Sequence, residues 1–252
     1  MAQNFRHSEI LQMARRDGMV TVEGLATHFG VTLQTIRKDL SELAEDGRLE
    51  RVHGGAVLPS GTENIEYGER QALNRAAKSA MAQACAAAIP NGSSIFLNIG
   101  TSTEAVAHEL MQHQDILVVT NNMNVANILA GNLDADIVLA GGALRRSDGG
   151  LIGPITINTI RRFKFDFAVI GCSALDLDGD ILDFDIEEVD VSRAIIEQAR
   201  TVFLVADHSK FSRAAPARIG SMAEIDGVFT DQPLPPALAK KCRTWNTDVT
   251  VA

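Results

Sequence analysis

Several short polar clusters in this chain have the residue types needed to hold a phosphorylated, hydroxyl-bearing molecule, and most of them follow a run of β-branched residues. In Asn98-Ile-Gly-Thr-Ser-Thr103 a glycine and three hydroxyl residues stand where a strand pattern passes into a helical one. Backbone N–H groups at such a helix start, together with the hydroxyls of Thr101, Ser102 and Thr103, suit phosphate oxygens. Gly100 lets the backbone come close; a plain strand-to-helix turn with a Thr cap is the structural alternative. Asn98, Asn121 and Asn122 offer amides to sugar or polyol hydroxyls, and Gly141-Gly142 allows another close approach. In Asp207-His-Ser-Lys-Phe211 an acid stands near Lys210, which would neutralise a phosphate. Asp183, Asp185, Glu187 and Glu188 form an acidic run before a helix. Three of them would serve the helix N-terminus electrostatically, and one, taken as Glu188, would accept hydrogen bonds from ligand hydroxyls. No His lies in the run, so a metal is not expected. Arg145 and Arg146 read as a solvated surface pair, with contact to an anion as the alternative.

A second chemistry sits near the amino end. Leu25, Ala26 and Phe29 make the inner stripe of one short helix, and Gly30 can end it in the left-handed conformation. Val31 fills the corner and Thr32 is an N-cap for the next helix. Ile36, Leu40 and Leu43 fall at i, i+4 and i+7 and face inward, leaving Gln34, Thr35, Arg37, Lys38 and Ser41 outside. This is the spacing of a helix-turn-helix, with an outer face suited to base edges and phosphates in a DNA major groove. After it, residues 47–57 read as a β-hairpin turning at Gly54-Gly55, a wing whose Arg48, Arg51 and His53 would lie beside the DNA backbone. Upstream, Arg6 to Arg16 supplies a helix with Ile10, Leu11 and Ala14 inward, stopped at Asp17-Gly18.

The elements that must position the polar clusters alternate. Strand patterns at 95–99, 116–120, 137–140, 167–171, 202–206 and 228–229 are separated by helical patterns at 103–112, 124–130, 156–163 and 188–198. Such alternation predicts an α/β domain with a Rossmann-like parallel sheet, whose ligands bind beyond the carboxyl ends of the strands. The organisation predicted is a winged helix-turn-helix over residues 1–58, a linker over 59–74 and a sensor domain over 75–252.

Composition fits two units. The net charge is −9, yet residues 1–60 carry 7 Lys+Arg against 8 Asp+Glu, whereas 61–252 carry 16 against 24. The acidity therefore belongs to the second unit. A near-neutral first unit has modest non-specific affinity for nucleic acid, which points to dimerisation and base readout. Cys85, Cys172 and Cys242 lack metal-ligand or disulfide spacing and read as reduced thiols of a cytoplasmic protein. Neither a signal peptide nor a membrane span is expected.

Taken in order, Thr35-Ile-Arg-Lys-Asp-Leu40, His53-Gly-Gly-Ala56, Ile99-Gly-Thr101, Glu104-Ala-Val-Ala107, Thr120-Asn-Asn122, Asn124-Val-Ala-Asn127, Leu139-Ala-Gly-Gly142, Asp148-Gly-Gly150, Arg193-Ala-Ile-Ile-Glu197 and Asp207-His-Ser-Lys-Phe211 resemble the DeoR-type bacterial transcriptional repressors over essentially the full chain. The resemblance departs at Asn98, where the family usually has Asp, and at Ser102, where it often has Thr. It implies a sensor domain related in fold to ribose-5-phosphate isomerase and a homodimer or homotetramer on double-stranded operator DNA. It also implies release by a phosphorylated effector, glycerol 3-phosphate, with no cofactor. Another sugar phosphate, or activation instead of repression, stays open. An active isomerase is disfavoured because Gly171 is followed by Cys172-Ser173-Ala174, with no carboxylate at that strand end to act as base.

Overall fold

A computed structural model of the chain describes residues 2–17, 19–52, 54–57 and 66–252. At the amino end the helical apolar spacings converge on one small core. Ile10, Leu11 and Ala14 of α1 (Ala2–Asp17) meet Leu25 and Ala26 of α2 (Val22–Phe29) and Ile36, Leu40 and Leu43 of α3 (Leu33–Glu45). Gly30 ends α2 at φ 62°, and Thr32 Oγ1 accepts the Thr35 N–H at 3.2 Å to start α3. Asp39 is also buried on the inner side of α3, where Arg6 Nε and Nη2 donate to its two oxygens at 2.8 and 3.2 Å.

The wing is a three-stranded antiparallel sheet of β1 (Met19–Thr21), β2 (Glu50–Val52) and β3 (Gly55–Val57), in the order β1-β3-β2. Val52 faces Gly55, so Gly55 belongs to a strand and not to the turn expected at Gly54-Gly55. The reason is steric. Gly55 belongs to β3, and the β1 backbone passes so near that a Cβ there would lie 2.0 Å from the Val20 carbonyl oxygen. Gly55→Ala is therefore expected to destabilise the amino-terminal unit by about 2–3 kcal/mol through overpacking, seen as a lowered first transition in thermal unfolding.

The stretch expected as linker holds a helix, α4 (Tyr67–Ala72), which lies against the second unit, and α5 (Arg75–Ala87) follows. The second unit's central sheet holds β4 (Ser94–Leu97), β5 (Ile116–Thr120), β6 (Ala135–Leu139), β9 (Phe165–Ile170), β12 (Ala199–Val205), β14 (Gly227–Thr230) and β15 (Asp248–Val251). The order is β15-β14-β12-β9-β4-β5-β6, and every pairing is parallel. From β4 the chain winds outward through β5 and β6, then returns to β9 on β4's other side and winds the opposite way. Alternate side chains feed two cores. Ile95, Leu97, Val118, Val169 and Val205 pack under α5, α6 (Thr101–Glu109) and α7 (Met123–Leu129). Phe96, Val119, Ile170 and Leu204 pack under α8 (Pro154–Ile160), α9 (Ile186–Gln198) and α10 (Pro236–Trp245).

Each strand expected for the second unit lies in this sheet. Two smaller pieces were not anticipated: a hairpin of β7 (Ala143–Arg145) and β8 (Gly150–Ile152), and an antiparallel sheet of β10 (Ala174–Leu175), β11 (Asp180–Asp183) and β13 (Ala217–Ser221). The edge strand β15 and helix α10 were likewise missed. The two units touch where α1 lies against the 3-10 turn His208–Ser212.

Candidate effector and nucleic-acid sites

Where strand order reverses, between β4 and β9, the carboxyl ends of neighbouring strands lead to opposite faces of the sheet and a crevice opens. A small cavity of about 30 Å³ lies there, room for about one water. Its floor is the start of α6 after β4 (Gly100, Thr101, Ser102) and the bend after β9 (Gly171, Cys172). Gly100 holds φ 133°, a conformation only glycine takes readily, at the N-cap of α6.

One wall is cationic. Lys210 and Arg70 line it, with Lys78 and Arg213 close enough to press on Lys210 electrostatically. Burial lowers Lys78 to about 8, helped by the nearby Lys210, and burial together with Arg213 also lowers Lys210. Asp207 answers this charge. Burial works to raise its pKa, but Lys210 and the Ser209 hydroxyl outweigh that and bring it to about 2. Lys210, Lys78 and Arg213 gather on Asp207, and Arg70 shares Asp148 with Arg145, a concentration of cations suited to a phosphate dianion.

The facing wall is acidic, formed by Asp183 and Glu188. Asp183 Oδ2 accepts from the Ser173 hydroxyl at 2.9 Å and Glu188 Oε2 from Arg145 Nη2 at 2.7 Å. Burial, reinforced by Asp183, raises Glu188 to about 8 against the opposing pull of Arg145. Arg145 is no surface residue. It also donates to Asp148 at 3.0 and 2.7 Å and to Asp185 at 2.8 Å, joining the hairpin to the start of α9. Asp185, in turn, is the N-cap of α9 and accepts the Glu187 N–H.

Of the residues proposed from sequence, the cavity gathers Gly100, Thr101, Ser102, Glu188 and Lys210, with Asp207 directly behind the lysine. Asn98 is fully buried, donating to the Ser192 hydroxyl and accepting from the Ile99 N–H, so it braces the strand end. Thr103 Oγ1 turns back onto the carbonyls of Asn98 and Gly100. Asn121 donates to the Leu151 carbonyl, and Asn122 caps α7 and donates to Glu104. Gly141 and Gly142 pack against Ile155, Thr156 and Ile152. None of these six lines the cavity. Sequence reasoning overlooked Arg70, Cys172, Ser173 and Asp183 as cavity groups, and the two carboxylates reach the site from β11 and α9 instead of from a strand end of the main sheet. The acidic run did signal Asp183 and Glu188; nothing local marks Arg70.

On the amino-terminal unit, Gln34, Arg37 and Lys38 stand exposed on α3, with Thr35 half-buried beside its cap. Thr32 is exposed and spends its hydroxyl on that cap. Arg48 is exposed after α3, and Arg51 of β2 donates to the Arg37 carbonyl at 3.1 Å and the Ser41 hydroxyl at 3.3 Å, which ties the wing to the outer face of α3. His53 lies outside the described residues. A helix fitted to the major groove would place Arg37 where it can read guanine. Arg37→Ala is then expected to lose about 1–3 kcal/mol of discrimination at one base pair, measured by binding to duplexes altered singly at each position.

A model of the DeoR C terminal sensor domain matches residues 73–232, and one of the DeoR-like helix-turn-helix domain matches residues 6–62. The glycerol-3-phosphate regulon repressor of Escherichia coli (strain K12) is 48% identical, covering 93% of this chain and 93% of that one. The HTH-type transcriptional repressor CsqR of the same organism is 37% identical over 94% of this chain and 90% of its own. Among solved structures, a D-ribose-5-phosphate isomerase in complex with phospho-erythronic acid aligns with 53% of this chain and 52% of its own, at 16% identity and a TM-score of 0.40. Among the described residues no helix is long and apolar enough to cross a membrane.

Proposed function

The chain belongs to the DeoR family, and from that premise we propose that it is a DNA-binding repressor of a carbon-catabolism operon, released from its operator by glycerol 3-phosphate. The observation that carries this reading is the cavity at the β4/β9 reversal, cationic on one wall and acidic on the other. The cationic wall suits a phosphate, and Asp183 and Glu188 suit the hydroxyls of a short polyol. The 48% identity to a glycerol-3-phosphate regulon repressor supports the choice of polyol. Both carboxylates are already engaged, by Ser173 and by Arg145, which supports binding over turnover. Two copies on two half-sites about 34 Å apart would give the operator grip that one near-neutral head lacks.

The test uses the full chain and a duplex selected by it from a randomised pool. Glycerol 3-phosphate is expected to release the duplex, weakening its binding at least tenfold, about 1.4 kcal/mol of coupling, while fructose phosphates and deoxyribose 5-phosphate do not. Indifference to all of them would overturn the reading, as would aldose–ketose turnover of any.

The lowered lysines add a pH dependence. Lys78 titrates near 8 in the folded chain, against 10.5 ordinarily. Effector affinity is expected to fall as pH rises from 7 to 9, by at most tenfold per unit for each proton lost. Stability of the free chain runs the other way. Between about 8 and 10.5 the unfolded lysine binds the proton that the folded one has lost, so this group's penalty shrinks as pH rises. Calorimetric titrations at pH 7, 8 and 9 check the first sign and denaturant melts the second.

A further inference from the structure

We infer that Arg70, on the helix leading into the sensor, is a phosphate ligand, and that α4 is a strap whose docking competes with the effector for the same groups. This rests on the cavity being the effector site. Helix α4 is the first described element after the wing strand β3, so it is the sensor element nearest in the chain to the DNA-binding unit. Its Arg70 side chain enters the cavity beside Thr101 and Lys210. There the guanidinium lies over the Tyr67 ring, 5.8 Å from its centroid, and its hydrogen bonds are incomplete. Nη2 donates to Asp148 at a long 3.3 Å, and Nε is buried with no hydrogen-bond partner. A buried donor left unmade is costly, and a guanidinium fork matches phosphate oxygens two at a time. Leaving Asp148 would cost little, because Arg145 already holds both of its oxygens, at 3.0 and 2.7 Å.

The docking of α4 runs through the same neighbourhood. The Arg70 carbonyl accepts from Lys78 Nζ and, at 3.4 Å, from the hydroxyl of Thr101, a floor residue of the cavity. Tyr67 Oη donates to Glu104 at 2.8 Å and accepts from Asn124 at 2.9 Å. A phosphate taking the Arg70 guanidinium and the Thr101 hydroxyl would thus remove one of the ties at the carbonyl and redirect the side chain. Room is the second reason. A three-carbon phosphate ester is several times larger than a space fit for one water. The strand ends and the first turn of α6 are fixed in the sheet and its cores, whereas α4 is half-exposed and belongs to neither core.

The experiment compares the full-length chain with Arg70→Ala and Tyr67→Phe. It measures glycerol 3-phosphate binding by calorimetry, release of the selected duplex, and amide hydrogen exchange over residues 66–74. In the unaltered chain, saturation with glycerol 3-phosphate is expected to change exchange in α4 while the duplex is released. Arg70→Ala should weaken the ligand's Kd about 30-fold or more. Once saturated, it should still hold the duplex more tightly than the saturated unaltered chain does. Tyr67→Phe, which removes the hydroxyl's ties to Glu104 and Asn124 and keeps the ring beside Arg70, should bind the ligand at least as tightly and release the duplex at a lower ligand concentration. Unchanged ligand affinity and release in Arg70→Ala would overturn the inference, as would unchanged α4 exchange while the unaltered chain releases DNA. If the unaltered chain neither binds the ligand nor responds to it, the effector reading itself falls and takes this one with it.

Discussion

Lys210→Ala is expected to hold operator DNA as the unaltered chain does while no longer answering glycerol 3-phosphate. Removing one partner of a buried charged pair costs roughly 2–5 kcal/mol, so the effector's Kd should weaken by about 30-fold or more. The fold should tolerate the change. The ammonium is desolvated and pressed by Arg213, so its loss relieves repulsion in the free protein. Asp207, deprived of its strongest counter-charge, keeps hydrogen bonds from Asn74 Nδ2 at 2.9 Å and from the Ser209 N–H at 3.0 Å. Calorimetry for the ligand and anisotropy for the duplex separate the two activities. Release at the same ligand concentration as the unaltered chain would place Lys210 outside the site.

The second large effect concerns stability. Arg145→Ala strips the cation shared by three carboxylates, Asp148, Asp185 and Glu188, and leaves Asp148 its 3.3 Å contact with Arg70. Breaking a buried ion pair by removing one member typically costs about 3–5 kcal/mol, and here the orphaned charges also repel one another. A loss of that order is expected in the denaturant midpoint of the sensor transition. Arg145→Lys should restore only part of it, since an ammonium cannot span three acceptors. Acid should soften the defect. The folded-state pKa of Glu188 is raised to about 8, against 4.5 ordinarily, so its neutral form favours folding below that range and the advantage fades as pH climbs toward 8. The variant's deficit is therefore expected to be smaller at pH 5 than at pH 8. A deficit under about 1 kcal/mol at both would mean that the cluster contributes little.

What could be read beforehand was local and periodic. Ile116 to Thr120 and its counterparts are continuous apolar runs bounded by polar ends, the mark of strands buried on both faces. Thr32 and Gly30 announce a helix start and stop by their own chemistry. The misses are long-range or sparse. The three-residue hairpin strands have too little sequence to show a period, and the β10-β11-β13 sheet pairs segments some forty residues apart. Asp39 occupies an inward helical position, a visible oddity, but its partner Arg6 lies 33 residues away. Arg70 reaches the cavity only because α4 folds back over α6, which no spacing in the chain reveals. Gly54-Gly55 misled because a glycine pair suits a tight turn, whereas Gly55 stands in β3 with β1 passing close behind it.

The opposed walls of the cavity have a cellular consequence. Free orthophosphate, present in any cytoplasm, has the dianion that Lys210 and Arg70 would welcome, yet it brings no carbon-borne hydroxyls to Asp183 and Glu188. It satisfies one side of the chamber and leaves the other unanswered, so on the proposed reading orthophosphate alone is expected to bind more weakly than a metabolite that carries both groups.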